Sequence, residues 1–180
     1  MSVPIPAAER QSQQVFRTLV MALSYPGRLW RLPARSLRQA FRLIGTTLVD
    51  GNVGVWAPDW LLLDLRGQAP RPVALEAADF VFAERLADLP AGWETLSVLK
   101  RGTYLEPESG ATLILGTGWG QGSPLVFKGP GIAGEVRLAV DLPPAFWRLR
   151  SQISAYPLGV DILLTDGQHV VGIPRSVEVG

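Results

Sequence analysis

Few side chains in this sequence have the types and spacing to do chemistry. A single histidine, His169, stands near Asp161 and Asp166, the residue types that make a base and its orienting carboxylate beside a serine nucleophile. No Gly-x-Ser-x-Gly elbow supplies that serine, and Ser109 sits in Glu-Ser-Gly ahead of an apolar run, so His169 reads as a structural or exposed residue. Glu106 and Glu108 flank Pro107. On an extended segment one intervening residue turns both carboxylates to the same side, where they could hold a hard cation or move protons; two exposed loop acids is the plainer reading. Gly129, Gly131 and Gly134 spell G-x-G-x-x-G, a pyrophosphate cradle when a helix follows. Here Glu135–Val140 alternates like a strand, Pro130 has no amide hydrogen, and Asp141 comes too soon to hold a ribose. These glycines therefore read as an inter-strand turn. Cysteine is absent, which removes disulfides, thiolate zinc sites and cysteine nucleophiles together; any metal chemistry would rest on carboxylates.

The elements that must position these groups follow from periodicity and breakers. Val15, Phe16, Leu19, Val20 and Leu23 share one face of a helix running from about Pro6 to Leu23, stopped by Tyr25-Pro26-Gly27. A short strand at Leu29–Leu32 leads to Ser36, the expected N-cap of a second helix striped by Leu37, Phe41, Ile44 and Leu48, with Arg35, Arg38 and Arg42 on the opposite face. Val53–Ala57 and Phe80–Ala83 read as strands, Asp59–Arg66 as a short helix capped by Asp59, and Trp93–Lys100 as a helical turn or two. From Ala111 the chain becomes richer in strands, at 111–116, 125–128 and 135–140, before Pro143-Pro144 opens a helix to about Ala155. Val160–Thr165 and Gln168–Ile173 flank Asp166-Gly167, a two-residue hairpin signal. Helices interleave with strands and the hairpin forces an antiparallel pair, so the expected fold is a single α/β domain, a three-layer mixed sheet with flanking helices.

Charge narrows the function classes. The 180 residues carry 17 Lys plus Arg against 16 Asp plus Glu, a net +1 that gives no global field for a polyanion and disfavours nucleic acid. Residues 1–42 nevertheless hold seven Arg against Glu9 alone, while 57–110 hold nine acids against five bases, so the small total hides opposed halves. The six Trp are scattered instead of interleaved with a basic stripe, which fits core or interface packing better than base stacking. Met1–Arg10 has no apolar signal region and no apolar run approaches the ~18 residues of a membrane span; the expected location is the cytoplasm.

Four segments resemble the PhnH family, subunits of the carbon-phosphorus lyase system that degrades alkylphosphonates. They are Phe16-Arg17-Thr18-Leu19-Val20-Met21-Ala22-Leu23-Ser24-Tyr25-Pro26-Gly27, Pro107-Glu108-Ser109-Gly110-Ala111-Thr112-Leu113-Ile114-Leu115, Gly129-Pro130-Gly131-Ile132, and Pro157-Leu158-Gly159-Val160-Asp161-Ile162-Leu163-Leu164-Thr165, followed by Ile173-Pro174-Arg175. Their order and spacing cover nearly the whole chain, while 59–99 carries little of the likeness. The resemblance implies a fold like the large domain of pyridoxal-phosphate-dependent transferases but without the cofactor. The only lysines, Lys100 and Lys128, lack an evident setting for a Schiff base. It further implies a non-catalytic, structurally required subunit, a homodimer when alone, that joins PhnG, PhnI and PhnJ. That assembly replaces the adenine of ATP by a phosphonate, with catalysis attributed to PhnI, and the iron-sulfur enzyme PhnJ later cuts the carbon-phosphorus bond. No catalytic residue, cofactor or metal is expected here. The expected partner or ligand surface is Arg17, Glu108, Asp161 and Arg175, polar residues inside the matched segments. The alternative is a stand-alone nucleotide- or phosphonate-binding enzyme or sensor, using Arg17 and Arg175 or the Arg35/Arg38/Arg42 face as an anion clamp. A third possibility is a degenerate paralogue that keeps the fold and has lost its partners.

Overall fold

Strands whose side chains alternate between two apolar faces need cover on both, and here each face has its own core. The computed structural model describes residues 6–180, so part of the reading of Met1–Arg10 lies outside the described residues. The strands are β1 (Trp30–Arg31), β2 (Gly54–Trp56), β3 (Arg71–Pro72), β4 (Phe80–Ala83), β5 (Thr112–Gly116), β6 (Leu125–Lys128), β7 (Val136–Leu138), β8 (Asp161–Thr165), β9 (His169–Ile173) and β10 (Glu178–Val179). Seven form a mixed sheet in the order β1-β9-β8-β5-β4-β2-β3. Strands β3, β2, β4, β5 and β8 run parallel, and β9 is antiparallel to both neighbours. Pro72, which cannot donate to a ladder, sits in the edge strand β3.

Phe82, Ile114, Leu163 and Val170 point to one face, where α1 (Ala7–Ser24), α2 (Leu37–Leu48) and α3 (Asp59–Asp64) cover them. Val81, Leu113, Ile162 and Val171, one residue out of phase, point to the other and pack with Phe146 and Trp147 of α4 (Pro144–Ile153). Ser36 caps α2 as expected, its Oγ accepting the Gln39 amide at 3.3 Å.

The structure corrects the sequence reading at several points. Strands 125–128 and 136–138 do not join the main sheet; they pair with the C-terminal β10 in a separate three-stranded antiparallel sheet beside α4. Asp59 is the first residue of α3, after Pro58, and caps nothing; the helix ends at Asp64. The helical turn expected at Trp93–Lys100 is present, as a 3₁₀ helix over Gly92–Ser97, but Pro107–Ser109 is also a 3₁₀ turn, so Glu106 and Glu108 do not share the side of an extended strand. The β8–β9 hairpin is present, but its last pair is Thr165–Val170, leaving a four-residue loop. Asp166 sets that loop by accepting the amides of Gln168 and His169 at 2.8 and 2.7 Å, an Asx turn in place of a two-residue reversal.

At the amino-terminal edge of the sheet Asp79 ties three segments together. It accepts the Gly54 amide at 2.6 Å and a hydrogen bond from the Lys100 ammonium, while its own carbonyl accepts Thr112 N–H. Partial burial pushes its carboxyl up, but the Lys100 and Gly54 hydrogen bonds, helped by the charges of Lys100 and Arg71, outweigh this and hold it below the ordinary 3.8. A depressed carboxyl pKa stabilises the fold above the unfolded value, and that contribution is lost as pH falls through the folded value. Asp79→Asn is therefore expected to cost about 1–2 kcal/mol near neutral pH. In denaturant titrations its deficit against wild type should shrink below pH 3.8; a deficit that stays constant into acid would contradict the ion-pair account.

Candidate functional site

The four sequence-predicted residues do not form one cluster. Arg17 is exposed on the outer side of α1 and lines a shallow groove of about 410 Å³ with Arg10 and Trp30. Glu108 is exposed on the Pro107–Ser109 turn. Asp161 and Arg175 meet directly, at the start of β8 and just past the end of β9. The β8–β9 register places Asp161 opposite Pro174, which has no amide hydrogen, so the ladder cannot continue. The Asp161 carboxylate takes over, accepting Arg175 N–H at 2.7 Å and the guanidinium at 2.6 Å from Nη2 and 3.2 Å from Nε. The remaining arm, Nη1, donates to the Pro107 carbonyl.

Two glycines make room for this pairing. A Cβ at Gly110 would stand 2.6 Å from Arg175 Nη1, and one at Gly159 2.9 Å from Arg175 Cβ; Gly159 also has φ +151°, which side chains avoid. The Gly159 amide donates to Arg101 O at 2.9 Å, locking loop 154–159 to loop 101–110. Separated segments of the sequence, 107–110, 159–161 and 173–175, thus converge on one guanidinium.

A second junction adjoins the first. A Cβ at Gly131, whose φ is +82°, would collide with the Ser24 carbonyl, so Gly129–Ile132 seats against the end of α1; Gly27 N–H reaches Gly172 O at 3.4 Å. Strand β6, just before this turn, pairs with β10, just after Val177. The segment 172–177 is therefore the common support of every matched motif.

Sequence reasoning missed the residue that holds this support from beneath. Arg150 on α4 is 1% exposed, and its guanidinium donates to Val177 O at 2.6 Å and Pro174 O at 2.7 Å, while Nε has no partner among the described residues. Burial pulls its pKa down from 12.5 to about 10, against the opposing charge of Asp161, so it stays charged at neutral pH. A signal was available: Arg150 falls in the apolar stripe of Phe146, Trp147 and Ile153, where a lone charge must find buried acceptors.

The geometry is that of a clamp, with the Asp161 carboxylate and Arg175 guanidinium spent on each other and on backbone. His169 lies at the opposite end of the β8–β9 hairpin from Asp161. Its Nδ1 stands 3.1 Å from Asp166 Oδ2, which also accepts Trp119 Nε1–H at 2.8 Å. Burial pushes the Asp166 carboxyl up, but the His169 and Gln168 amides, the His169 ring and the Trp119 indole together hold it below its ordinary value. Of the three Arg expected on one face of α2, Arg38 meets Glu84 at 3.4 Å and Arg42 meets Asp64 at 2.6 Å, whereas Arg35 precedes the Ser36 cap and has no ion-pair partner among the described residues. Lys100 is paired with Asp79, and Lys128 lies 3.8 Å from Glu135 in the other sheet. Among the described residues no group of three or more His, Asp or Glu could hold a metal ion, and no helix is long and apolar enough to cross a membrane.

The loops locked together by Arg175 and Gly159 present large apolar side chains to water. Leu105 is 94% exposed, Tyr104 77% and Tyr156 75%.

The model of the family described as "Bacterial phosphonate metabolism protein (PhnH)" matches residues 6–180. The chain is also 38% identical over 178 residues, 96% of its own length and 87% of the relative's, to "Putative C-P lyase subunit protein HtxG" of Stutzerimonas stutzeri. With its matched motifs gathered on the one segment 172–177, the chain belongs to the PhnH family of bacterial phosphonate metabolism.

Proposed function

We propose that this chain is a non-catalytic, structurally required subunit of a carbon-phosphorus lyase core complex. It supports the transfer of an ATP-derived ribose triphosphate to an alkylphosphonate with release of adenine, working in the cytoplasm beside PhnG, PhnI and PhnJ. The observation that carries this reading is the pair of loops around Tyr104, Leu105 and Tyr156, exposed yet fixed by the Arg175 clamp. A catalytic subunit would need free acids, bases or nucleophiles at its most tightly organised point, and here those groups satisfy one another. The outer side of α1, with Phe16 and Val20 exposed beside Arg17, suits a second contact, and we assign the homodimer of the isolated chain to it. The kinship to the large domain of pyridoxal-phosphate transferases belongs to the same proposal, supported by the helix-covered mixed sheet.

The tagged chain, co-expressed with the neighbouring phosphonate genes, is expected to be recovered in a large multi-subunit particle by light scattering and mass spectrometry. Recovery only as a dimer would remove the scaffold reading. The same isolated protein should show no thermal shift with millimolar ATP or methylphosphonate. A ligand with ~10 μM Kd at 1 mM would add roughly 2.7 kcal/mol, so a clear shift would favour a stand-alone binding protein.

A further inference from the structure

A crevice unrelated to the clamp lies at the opposite, carboxyl-terminal edge of the parallel strands. Strand β2 continues through α3 to β3 on its outer side, whereas β4 sends its chain to β5 on the other side. Where neighbouring parallel strands send their connections in opposite directions the loops diverge and a crevice opens. Here it is about 380 Å³, between Trp56 and Trp60 from the β2 end and Phe82, Glu84, Arg85 and Asp88 from the β4 end, with Asp59 at its rim.

Its chemistry is anionic and aromatic. Arg85 is neutralised by Asp88, with Nη2 to Oδ1 at 2.7 Å. Asp59 has no ion-pair partner among the described residues and Glu84 has only Arg38, at 3.4 Å. The Arg38 guanidinium, on a side chain 67% exposed, lies over the Trp60 ring 5.0 Å from its centroid. An indole face flanked by carboxylates attracts a cation, and Arg38, which meets Trp60 and Glu84 without lining the crevice, shows these two groups together accepting one. Its long contact to Glu84 and its exposure leave it weakly held. Among the described residues the Trp60 Nε1–H is buried without an acceptor, and the indole is partly buried against the core on the helix-covered face.

We propose that this crevice binds a small organic cation, an ammonium or guanidinium group carried by a ligand, against Trp60, Glu84 and Asp59, in competition with Arg38 for Trp60 and Glu84. A phosphate or a nucleotide is the wrong class, because the lining carboxylates of Asp59 and Glu84 oppose an anion.

The test uses the full-length chain, ¹⁵N-labelled, and reads the indole N–H signals of its six Trp during titration with choline chloride at constant ionic strength; Trp60→Phe assigns the Trp60 signal. Choline is expected to shift Trp60 and Trp56 saturably. Arg38→Ala should tighten binding by about 3- to 10-fold by uncovering the ring, while Glu84→Gln and Asp59→Asn should each weaken it by about 3-fold or more. These side chains lie outside the core, and the remaining indole signals report that each variant is folded. AMP and inorganic phosphate should give no saturable shift at Trp60. No saturable choline shift even in Arg38→Ala, weaker binding in that variant, or equal binding of AMP would each overturn the proposal.

Discussion

Arg150→Ala is expected to lower stability by about 3–5 kcal/mol and the melting temperature by roughly 10 °C, the largest effect of any single substitution we anticipate. The change removes both guanidinium donors and leaves Val177 O without its partner, at about 1–3 kcal/mol, while Pro174 O keeps the Val177 N–H at 3.0 Å. It also leaves a cavity beneath 172–177, because Arg150 is among the largest fully buried side chains. One term opposes these losses. The guanidinium is desolvated without a direct carboxylate contact, which is why its pKa is drawn down to about 10, and removing a buried charge recovers part of that cost. Urea denaturation of three variants separates the terms. Arg150→Met keeps the volume and loses the donors, so it should fall between wild type and Arg150→Ala. Arg150→Lys keeps the charge but offers a point donor where a planar fork spans two carbonyls, and it should also be intermediate. Wild-type stability in Arg150→Met would show that the hydrogen bonds to 174 and 177 do not hold this segment.

What could be read from the sequence divides along physical lines. Elements set by local rules were legible: Ser36 caps α2, Val15 and Leu19 of the α1 stripe are buried although Phe16 and Val20 of that stripe stay exposed, and a hairpin turns at Asp166-Gly167, through a four-residue loop. Elements set by distant partners were not. Strand β10 is two residues long and exists because β6 lies beside it, and the strand-like character of 125–140 cannot say that these residues leave the main sheet. Asp59 looked like a cap because its residue type prefers that place, but Pro58, fixed in φ, already occupies the helix entry. The candidate site shows the same division. Asp161 and Arg175 could be named from their segments, and their pairing follows from Pro174 ending the ladder, a consequence visible only once the β8–β9 register is known. Arg17 comes from a segment of the same kind and lies elsewhere, because an exposed helix face imposes no convergence, and Glu108 stays exposed although its turn meets Arg175 through the Pro107 carbonyl.

Arg175→Ala is expected to uncouple the loops from the sheet and thereby abolish incorporation into the complex. The guanidinium is held by Asp161 through Nε and Nη2 and reaches Pro107 O through Nη1, with its side chain only 12% exposed. Truncation leaves the partly buried Asp161 carboxylate with the backbone amide of 175 but without the guanidinium, and leaves the Pro107 carbonyl with the Gly110 amide alone, at a cost of about 2–4 kcal/mol. The effect should be uneven. Hydrogen exchange is expected to rise in 101–110 and 154–159, which the clamp and the Gly159–Arg101 bond join, while β4 and β5 keep their protection. Arg175→Lys should recover little, since one ammonium cannot match the bidentate carboxylate and also reach Pro107. Loss of assembly could follow from general instability, so an exposed change is the necessary comparison. Leu105→Glu alters a residue 94% exposed; it should leave melting within about 1 °C of wild type and still prevent co-purification. Glu108→Ala and Arg17→Ala, also exposed, read partner contact by the same logic. If Leu105→Glu assembles normally while Arg175→Ala does not, the clamp serves stability alone and the partner surface lies elsewhere. If both fail while only Arg175→Ala is destabilised, the clamp holds the surface and Leu105 touches the partner.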